Sequence, residues 1–209
     1  MNQTFLRLPF VIVILLSLPA LAWAAGVAAP VQKSGQTGCW NAAGDVIACA
    51  NTGQDGDLLK GVAWPNPRFT KNNDATVTDN LTGLIWLENA NCFGTRTWAQ
   101  ALTDAATVKN GICGLSDGSA LGEWRLPSKK ELESLVASQY FNPAVPNTAG
   151  TGQWTAGAPF TIVQSSWYWS STTYAGGTTN AWYVRLAVGN VLTNNKASTF
   201  SVWPVRGGQ

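Results

Sequence analysis

The chain has 209 residues, 13 of them Lys or Arg and 11 of them Asp or Glu, so its formal net charge is +2. Charged residues make up only 11% of the chain, whereas eleven tryptophans make its aromatic content unusual in kind. A nucleic-acid-binding domain is normally visibly basic, so this balance argues against nucleic acid as a partner. A surface with so few charges must be covered mainly by Asn, Thr, Ser, Gln and Gly.

Residues 1–24 have the pattern of a cleaved secretory signal peptide. Arg7 precedes an apolar run over residues 8–18, and a proline and a stretch of small residues follow that run. The run is shorter than the roughly 20 residues that a membrane-spanning helix needs. We therefore expect cleavage after Ala24, with Ala22 as the alternative, and a periplasmic, extracellular or cell-surface location. No later segment has membrane-spanning length, so the mature protein should be soluble.

All four cysteines follow the predicted signal peptide, as Cys39, Cys49, Cys92 and Cys113. An even number of cysteines in an exported chain predicts two disulfides, and four cysteines allow three pairings. We favour the nearest-neighbour pairing, Cys39–Cys49 and Cys92–Cys113. Zinc is the competing interpretation, but the chain has no Cys-x-x-Cys pair and no histidine, so no metal is expected.

One domain with an N-terminal extension fits the remaining length. Residues 25–38 are small and polar and predict a flexible leader, and residues 39–67 are turn-rich and stapled by the first disulfide. The main domain is expected over 68–207. Its first part contains two short predicted strands, at 76–78 and 83–87.

Two helices are expected in the main domain. Apolar residues at helical spacing predict the first over 97–109, just before Gly111. The second begins with a capping box, in which Ser128 lies three residues before Glu131, and is expected over 128–138.

The chemistry of the chain changes after the second helix. Residues 134–209 contain no Asp or Glu, five of the tryptophans and only three charged residues, all basic. A two-residue hairpin turn is expected at Gly189–Asn190. Antiparallel strands are expected over 166–170, 181–188, 191–193 and 199–205. The order of strands, helices and further strands makes the predicted fold class α+β.

Catalysis is hard to assemble from these residues. Without histidine there is no Ser–His or Cys–His pair, and no phosphate-binding loop is present. We therefore expect neither enzymatic activity nor a cofactor. Two Asx-rich segments, 51–57 and 72–79, resemble calcium loops. Neither has the full spacing with a terminal Glu, and such segments are usually turns.

The aromatic, acid-free C-terminal half suits a carbohydrate ligand. Sugar faces stack on Trp and Tyr rings, and Arg185, Lys196 and Arg206 could meet sulfate or carboxylate groups if they converge. The competing interpretation is that most of the tryptophans belong to the core, although exposed Tyr and Trp are enriched at binding surfaces. The candidate ligand-binding residues are Tyr174, Tyr183, Arg185, Lys196, Trp167 and Trp169.

Several segments resemble one known family: TVTDNLTGLIWLENANC, TWAQAL, CGLSDGSALGEWRLPSKKELESLV, YWSSTTY, AWYVRL and VWPVRGG. They cover roughly residues 68–207 and are similar to the Legionella collagen-like adhesin (Lcl) C-terminal domain family. The resemblance implies a C-type-lectin-like fold, with two helices and a curved antiparallel sheet of short strands. It also implies an adhesin-like module that binds a glycan such as a sulfated polysaccharide. No collagen-like region is present, so a trimeric architecture does not transfer and homo-oligomerisation stays open.

The segments WRLPSKKEL and VRGG are also similar to motifs of the formylglycine-generating, sulfatase-modifying enzymes. Those enzymes need a pair of catalytic cysteines in the C-terminal region, and this chain has no cysteine after Cys113. We interpret Arg125 and Arg206 in these segments as structural residues, held against carbonyls or carboxylates such as that of Asp79. The alternative to glycan binding is a structural or protein–protein interaction module of an envelope assembly.

Overall fold

The computed structural model describes residues 31–207, so the predicted signal peptide lies outside the described residues. Within that range no helix is long and apolar enough to cross a membrane. The described elements follow one another as β1 (Cys39–Trp40), β2 (Val46–Ile47), α1 (Asp55–Leu58), β3 (Phe69–Lys71), β4 (Thr76–Asp79), β5 (Ile85–Leu87), β6 (Thr95–Arg96), α2 (Trp98–Ala106), α3 (Lys129–Glu133), β7 (Trp167–Thr173), β8 (Asn180–Arg185), β9 (Asn190–Asn195), β10 (Phe200–Ser201) and β11 (Val205–Arg206).

Two larger sheets carry the main domain. One has five strands in the order β6-β10-β7-β8-β9, and the other has four in the order β11-β5-β4-β3. The strand pairs in both are antiparallel, except that β10 runs parallel to β7, with Ser201 opposite Tyr168. The α+β fold class is confirmed, but the main domain forms two larger sheets where one curved sheet was expected.

The sheets share a core. The larger apolar cluster joins both sheets with α3 and includes Val77, Trp86, Leu132, Tyr168 and Val184. A smaller cluster lies against α2 and includes Ala101, Ala105, Trp169, Tyr183 and Phe200. Because successive side chains on a strand point to opposite faces, Tyr168 and Trp169 place β7 between the two clusters.

The predicted last strand, 199–205, is divided between the two sheets. β10 belongs to the five-stranded sheet and β11 to the four-stranded sheet. Between them, Val202, Trp203 and Pro204 are buried and carry the chain across the core. The indole N–H of Trp203 donates to the carbonyl oxygen of Leu87 at 2.8 Å. Burial of this crossing segment, which the strand-like pattern does not reveal, is the reason for the break.

Both main helices begin at the predicted residues and end earlier than predicted. Thr97 and Ser128 are the N-caps, each in a complete capping box. α2 ends at Ala106 because Thr107 and the next residue form tighter turns with the preceding carbonyls. α3 ends at Glu133, and soon afterwards the Ala137 N–H donates to the Ala144 carbonyl at 2.9 Å instead of continuing the helix.

The hairpin between β8 and β9 turns earlier than predicted. Its loop covers residues 186–189 rather than Gly189–Asn190, because Arg185 pairs with Asn190. Leu186 and Ala187 are buried. The Leu186 N–H donates to the Ser166 carbonyl at 2.9 Å, and the Ala187 carbonyl accepts from the Asn142 N–H at 2.6 Å. These tertiary bonds hold the end of the predicted strand out of the ladder.

The N-terminal extension is attached to the domain from residue 31 onward. The Val62 N–H donates to Val31 at 2.8 Å, and the Ser138 N–H donates to Ser34 at 2.8 Å. The Trp64 indole N–H donates to the Lys33 carbonyl at 3.1 Å. Residues 31–34 are thus hydrogen-bonded to segments of the domain.

Two disulfides join the chain in the nearest-neighbour pairing. Cys39–Cys49 closes the β1–β2 hairpin with a Cα–Cα distance of 5.1 Å. Cys92–Cys113 joins the segment after β5 to the loop after α2, with a Cα–Cα distance of 5.9 Å. Bonds of this kind typically stabilise a small domain by about 2–4 kcal/mol each.

A buried ion pair connects the extension, the four-stranded sheet and α3. The Arg68 guanidinium donates to both Asp79 carboxylate oxygens at 2.7 and 2.9 Å, and both side chains are 0% exposed. Arg68 also donates to the Ser134 carbonyl at 2.9 Å and lies over the Trp64 ring at 4.6 Å. The expectation that the Asp79 carboxylate faces Arg125 or Arg206 is wrong, because Arg68 occupies that carboxylate.

We expect Asp79→Asn to lower the free energy of unfolding by about 3–5 kcal/mol, because it leaves the Arg68 charge buried without its counter-charge. Urea unfolding followed by tryptophan fluorescence measures the change. The matched control is Asp104→Asn, since Asp104 pairs with Arg96 at 2.6 Å in a half-exposed site. The control substitution should lower the free energy of unfolding by less than about 1 kcal/mol. Equal losses for the two variants would contradict the prediction.

Candidate ligand-binding surface

One face of the five-stranded sheet is covered at one end and open at the other. The register pairs Trp167 with Arg185 and Trp169 with Tyr183, so these four side chains share that face. At the α2 end, Trp169 is fully buried and Tyr183 is 8% exposed. Toward the β8–β9 loop, Trp167 is 42% exposed and Arg185 is exposed.

Two of the six candidate residues are core residues. Trp169 packs against Phe200 with ring centroids 4.3 Å apart, and its indole N–H donates to the Arg96 carbonyl at 3.0 Å. Tyr183 packs edge-on against the same phenylalanine at 4.9 Å. Because α2 covers this end of the sheet, neither ring is presented to a ligand, contrary to expectation.

Tyr174 and Lys196 lie at the other end of the hairpin and have partners within the chain. Tyr174 packs edge-on against Trp182 at 5.5 Å. The Lys196 ammonium donates to the Thr173 hydroxyl at 2.9 Å and lies 4.0 Å from the Trp98 ring centroid.

The predicted basic groups do not converge. Arg185 pairs with Asn190 at the first residue of β9, whereas Lys196 follows its last residue. A strand rises by about 3.3 Å per residue, so roughly 20 Å separates the two positions along the strand. A site that needs both cations at one sugar unit is therefore excluded.

The open end forms a small surface that we call the Trp167–Arg185 platform, defined by Trp167, Arg185, Asn190 and Leu192. The Trp167 ring rests on Phe200, with centroids 5.3 Å apart. Asn190 and Leu192 pair with Arg185 and Tyr183 and so share their face, and Leu192 is 46% exposed. Within the described residues the Arg185 guanidinium has no ion pair, and no acidic residue lies in 134–209.

Sequence reasoning missed Asn190 and Leu192. It treated Asn190 as a turn residue and gave Leu192 no role. The available signal is the alternation of side chains across the hairpin, which places both beside Arg185 once the loop is set at 186–189.

The WRLP and VRGG segments contact each other through backbone hydrogen bonds. Arg125 and Val205 exchange two backbone hydrogen bonds of 2.9 Å. The Arg125 side chain donates to both Glu131 carboxylate oxygens at 2.7 and 2.6 Å. Arg206 contacts the Asp117 carboxylate at 3.1 Å and lies 5.4 Å from the Trp124 ring centroid. Both arginines thus make structural ion pairs.

Glu131 serves the capping box and the ion pair at once. Burial alone would raise the pKa of Glu131, but hydrogen bonds from Arg125 and from the Ser128 backbone outweigh burial and lower it. The hydrogen bond to Glu131 in turn raises the pKa of Arg125 against the effect of burial. The carboxylate is therefore held ionised as a structural group.

The two Asx-rich segments use their carboxylates in turns. The Asp74 carboxylate accepts from the Thr76 N–H at 3.0 Å, and the Asp57 carboxylate accepts from the Gly53 N–H at 3.0 Å. In the part of the chain that the structure describes, no group of three or more His, Cys, Asp or Glu side chains is placed to hold a metal ion.

A separate pocket of about 240 Å³ lies against the N-terminal extension. Residues 33–37, Asp55 and Trp64 contribute to its lining, and no platform residue does. The Ser34 hydroxyl donates to the Asp55 carboxylate inside it.

These features define a small α+β domain with two disulfides that presents part of a sheet face, rimmed by an aromatic ring and an arginine. The sequence model of the Lcl C-terminal domain family matches residues 75–206, and the chain belongs to this family. The family assignment made from the motifs is confirmed. The chain has no significant match among curated proteins.

We expect Glu131→Gln to destabilise the domain at pH 7 and to reduce its sensitivity to acid. Because the pKa of Glu131 is lowered by folding, its ionised form stabilises the fold above the usual value of about 4.3. That contribution is lost as the pH falls through the lowered pKa. Urea unfolding should therefore show that the difference in the free energy of unfolding between the variant and the parent becomes smaller from pH 7 to pH 2.5.

Glu133→Gln is the control, because its carboxylate lies 3.6 Å from the exposed Lys130 ammonium on the same helix. Such an exposed pair contributes little. If the difference in the free energy of unfolding between Glu131→Gln and the parent stays constant with pH, the lowered pKa of Glu131 is contradicted.

Proposed function

We propose that this chain is an exported, non-enzymatic module that binds a glycan or a matrix component through the Trp167–Arg185 platform. The observation that carries the proposal is the direct cross-strand pairing of a partly exposed tryptophan with an exposed arginine. The strands that present them contain no acidic residue.

The platform offers two complementary kinds of contact. The exposed face of Trp167 provides a flat apolar surface on which the C–H groups of a sugar ring can stack. Because the ring already packs on Phe200, little side-chain freedom is lost on binding. The Arg185 fork can donate paired hydrogen bonds to a carboxylate or sulfate. A substituted acidic sugar therefore fits better than a neutral one.

The near-neutral charge of the chain bears on the strength of such binding. With a formal net charge of +2 for all 209 residues, long-range attraction of a polyanion is small. Any charge contribution comes from Arg185 itself and is screened by salt. We therefore expect weak binding to one sugar unit and useful binding only to repeated units.

Other features support export and a binding role. Both disulfides suit an oxidising compartment. The family resemblance implies a C-type-lectin-like fold and an adhesin-like role, and the proposal includes both. All four cysteines are in disulfides, and the sequence has no histidine, so no nucleophile–base pair of the usual kinds is available.

A glycan array probed at low and high salt tests the proposal with two variants. Trp167→Ala should reduce binding at least tenfold for every bound glycan, because it removes the stacking surface. Arg185→Ala should weaken binding to sulfated or carboxylated glycans and leave binding to neutral ones unchanged. It should also remove most of the salt dependence.

Phe141→Ala and Lys60→Ala are the matched controls. Phe141 is an aromatic residue that is 74% exposed outside the platform, and Lys60 is an exposed cation. Both controls should bind like the parent. Absence of binding at either salt concentration, together with a stable complex recovered from envelope extracts, would favour the protein–protein module instead.

A further inference from the structure

The four outer strands of the two larger sheets differ in how their free edges are protected. β6 and β11 have two residues each and contain Arg96 and Arg206, and β11 is also bonded to Arg125. β3 has three residues, contains Lys71 and is bonded to the Thr148 carbonyl through its first N–H. Short length, charge and cover are the usual ways in which proteins prevent unwanted pairing at an edge.

β9 has none of these protections. It is six residues long, pairs with β8 over its whole length, and contains no charged residue and no proline. Within the described chain, no backbone hydrogen bond links the outer side of residues 191–194 to another segment. Asn190, Leu192, Asn194 and Asn195 are exposed. This edge therefore has the length and the free hydrogen-bonding groups to accept another strand.

We propose that β9 pairs with β9 of a second copy of this chain, in an antiparallel arrangement centred on Leu192. A two-fold axis perpendicular to the sheet keeps each side chain on its own face. Residues directly opposite each other must therefore both have even numbers or both have odd numbers. Centring on Leu192 places it opposite its own copy, Asn190 opposite Asn194, and Val191 opposite Thr193. Every pair then matches an apolar, amide or β-branched side chain with a similar one.

Charge and size also favour a second copy and set the strength of the pairing. No charge lies on β9, so two copies meet without repulsion along the edge. The contact is confined to one strand and the side chains beside it, which places it among small, weak interfaces. We therefore expect a reversible dimer that forms at tens to hundreds of micromolar chain.

Dimerisation would place two Trp167–Arg185 platforms on the same side of one continuous sheet. Five strand spacings of about 4.8 Å put the two β7 strands about 24 Å apart. Trp167 is level with Asn190, two residues from the axis, so the two Trp167 positions are also offset by about 13 Å along the strands and lie about 27 Å apart. This consequence for glycan binding rests on the proposed function, whereas the β9 pairing does not.

Oxidative cross-linking tests the register. In the proposed pairing the two Leu192 Cβ atoms lie about 4.5–5.5 Å apart. Leu192→Cys, introduced into the complete sequence and recovered after export, should give a covalent dimer under mild oxidant. Val191→Cys and Thr193→Cys should not cross-link alone, but a mixture of the two should. All native cysteines are in disulfides, so each variant carries one free thiol.

Sedimentation of the parent chain tests the association without any new thiol. The parent should show a concentration-dependent rise from monomer toward dimer mass, and Leu192→Lys should abolish it. Val46→Lys is the control, because Val46 is 79% exposed on the separate β1–β2 hairpin. A parent that stays monomeric at several hundred micromolar, or a dimer unaffected by Leu192→Lys, would overturn the proposal, whatever the glycan array shows.

Discussion

The buried ion pair between Arg68 and Asp79 connects parts of the chain that have little else in common. Asp79 ends β4 and accepts hydrogen bonds from the turn that follows, at the Leu81 N–H and the Thr82 hydroxyl, both at 2.9 Å. Arg68 reaches the end of α3 and packs beneath Trp64 of the extension. Removing two charges from water costs free energy that offsets much of their attraction, so the pair adds little net stability. Any arrangement that separated the two buried charges would be strongly disfavoured, so the pair selects one arrangement of these segments.

The other arginines of the domain also differ in whether they form structural ion pairs or lie exposed. Arg125 and Arg206 belong to the most recognisable family motifs. Arg206 joins the end of the domain to its first half through its ion pair with Asp117, whereas Arg125 pairs with the nearby Glu131 and reaches the end of the domain through its backbone bonds to Val205. The acid-free second half leaves Arg185 without such a partner among the described residues. Its position beside Trp167 follows from the strand register, so the motifs support the surface without forming it.

Register explains why the candidate site was only partly predictable. A two-residue turn at Gly189–Asn190 would place Lys196 opposite Tyr183, next to Arg185, and the basic groups would converge. The actual loop at 186–189 shifts β9 by four residues along β8 and moves Lys196 away. Local turn propensity favoured the glycine, but buried contacts of Leu186 decided the position of the loop.

The sequence by itself determined what depends on local chemistry. Capping boxes set both helix starts, aromatic and alternating runs set most strands, the cysteines limited the covalent links to three pairings, and the motifs identified the family. The tertiary structure alone decided what depends on distant segments. It selected which aromatic rings α2 buries, divided the last strand between two sheets, and paired Asp79 with Arg68. Burial and register are properties of the assembled chain, because they arise from contacts between residues far apart in the sequence.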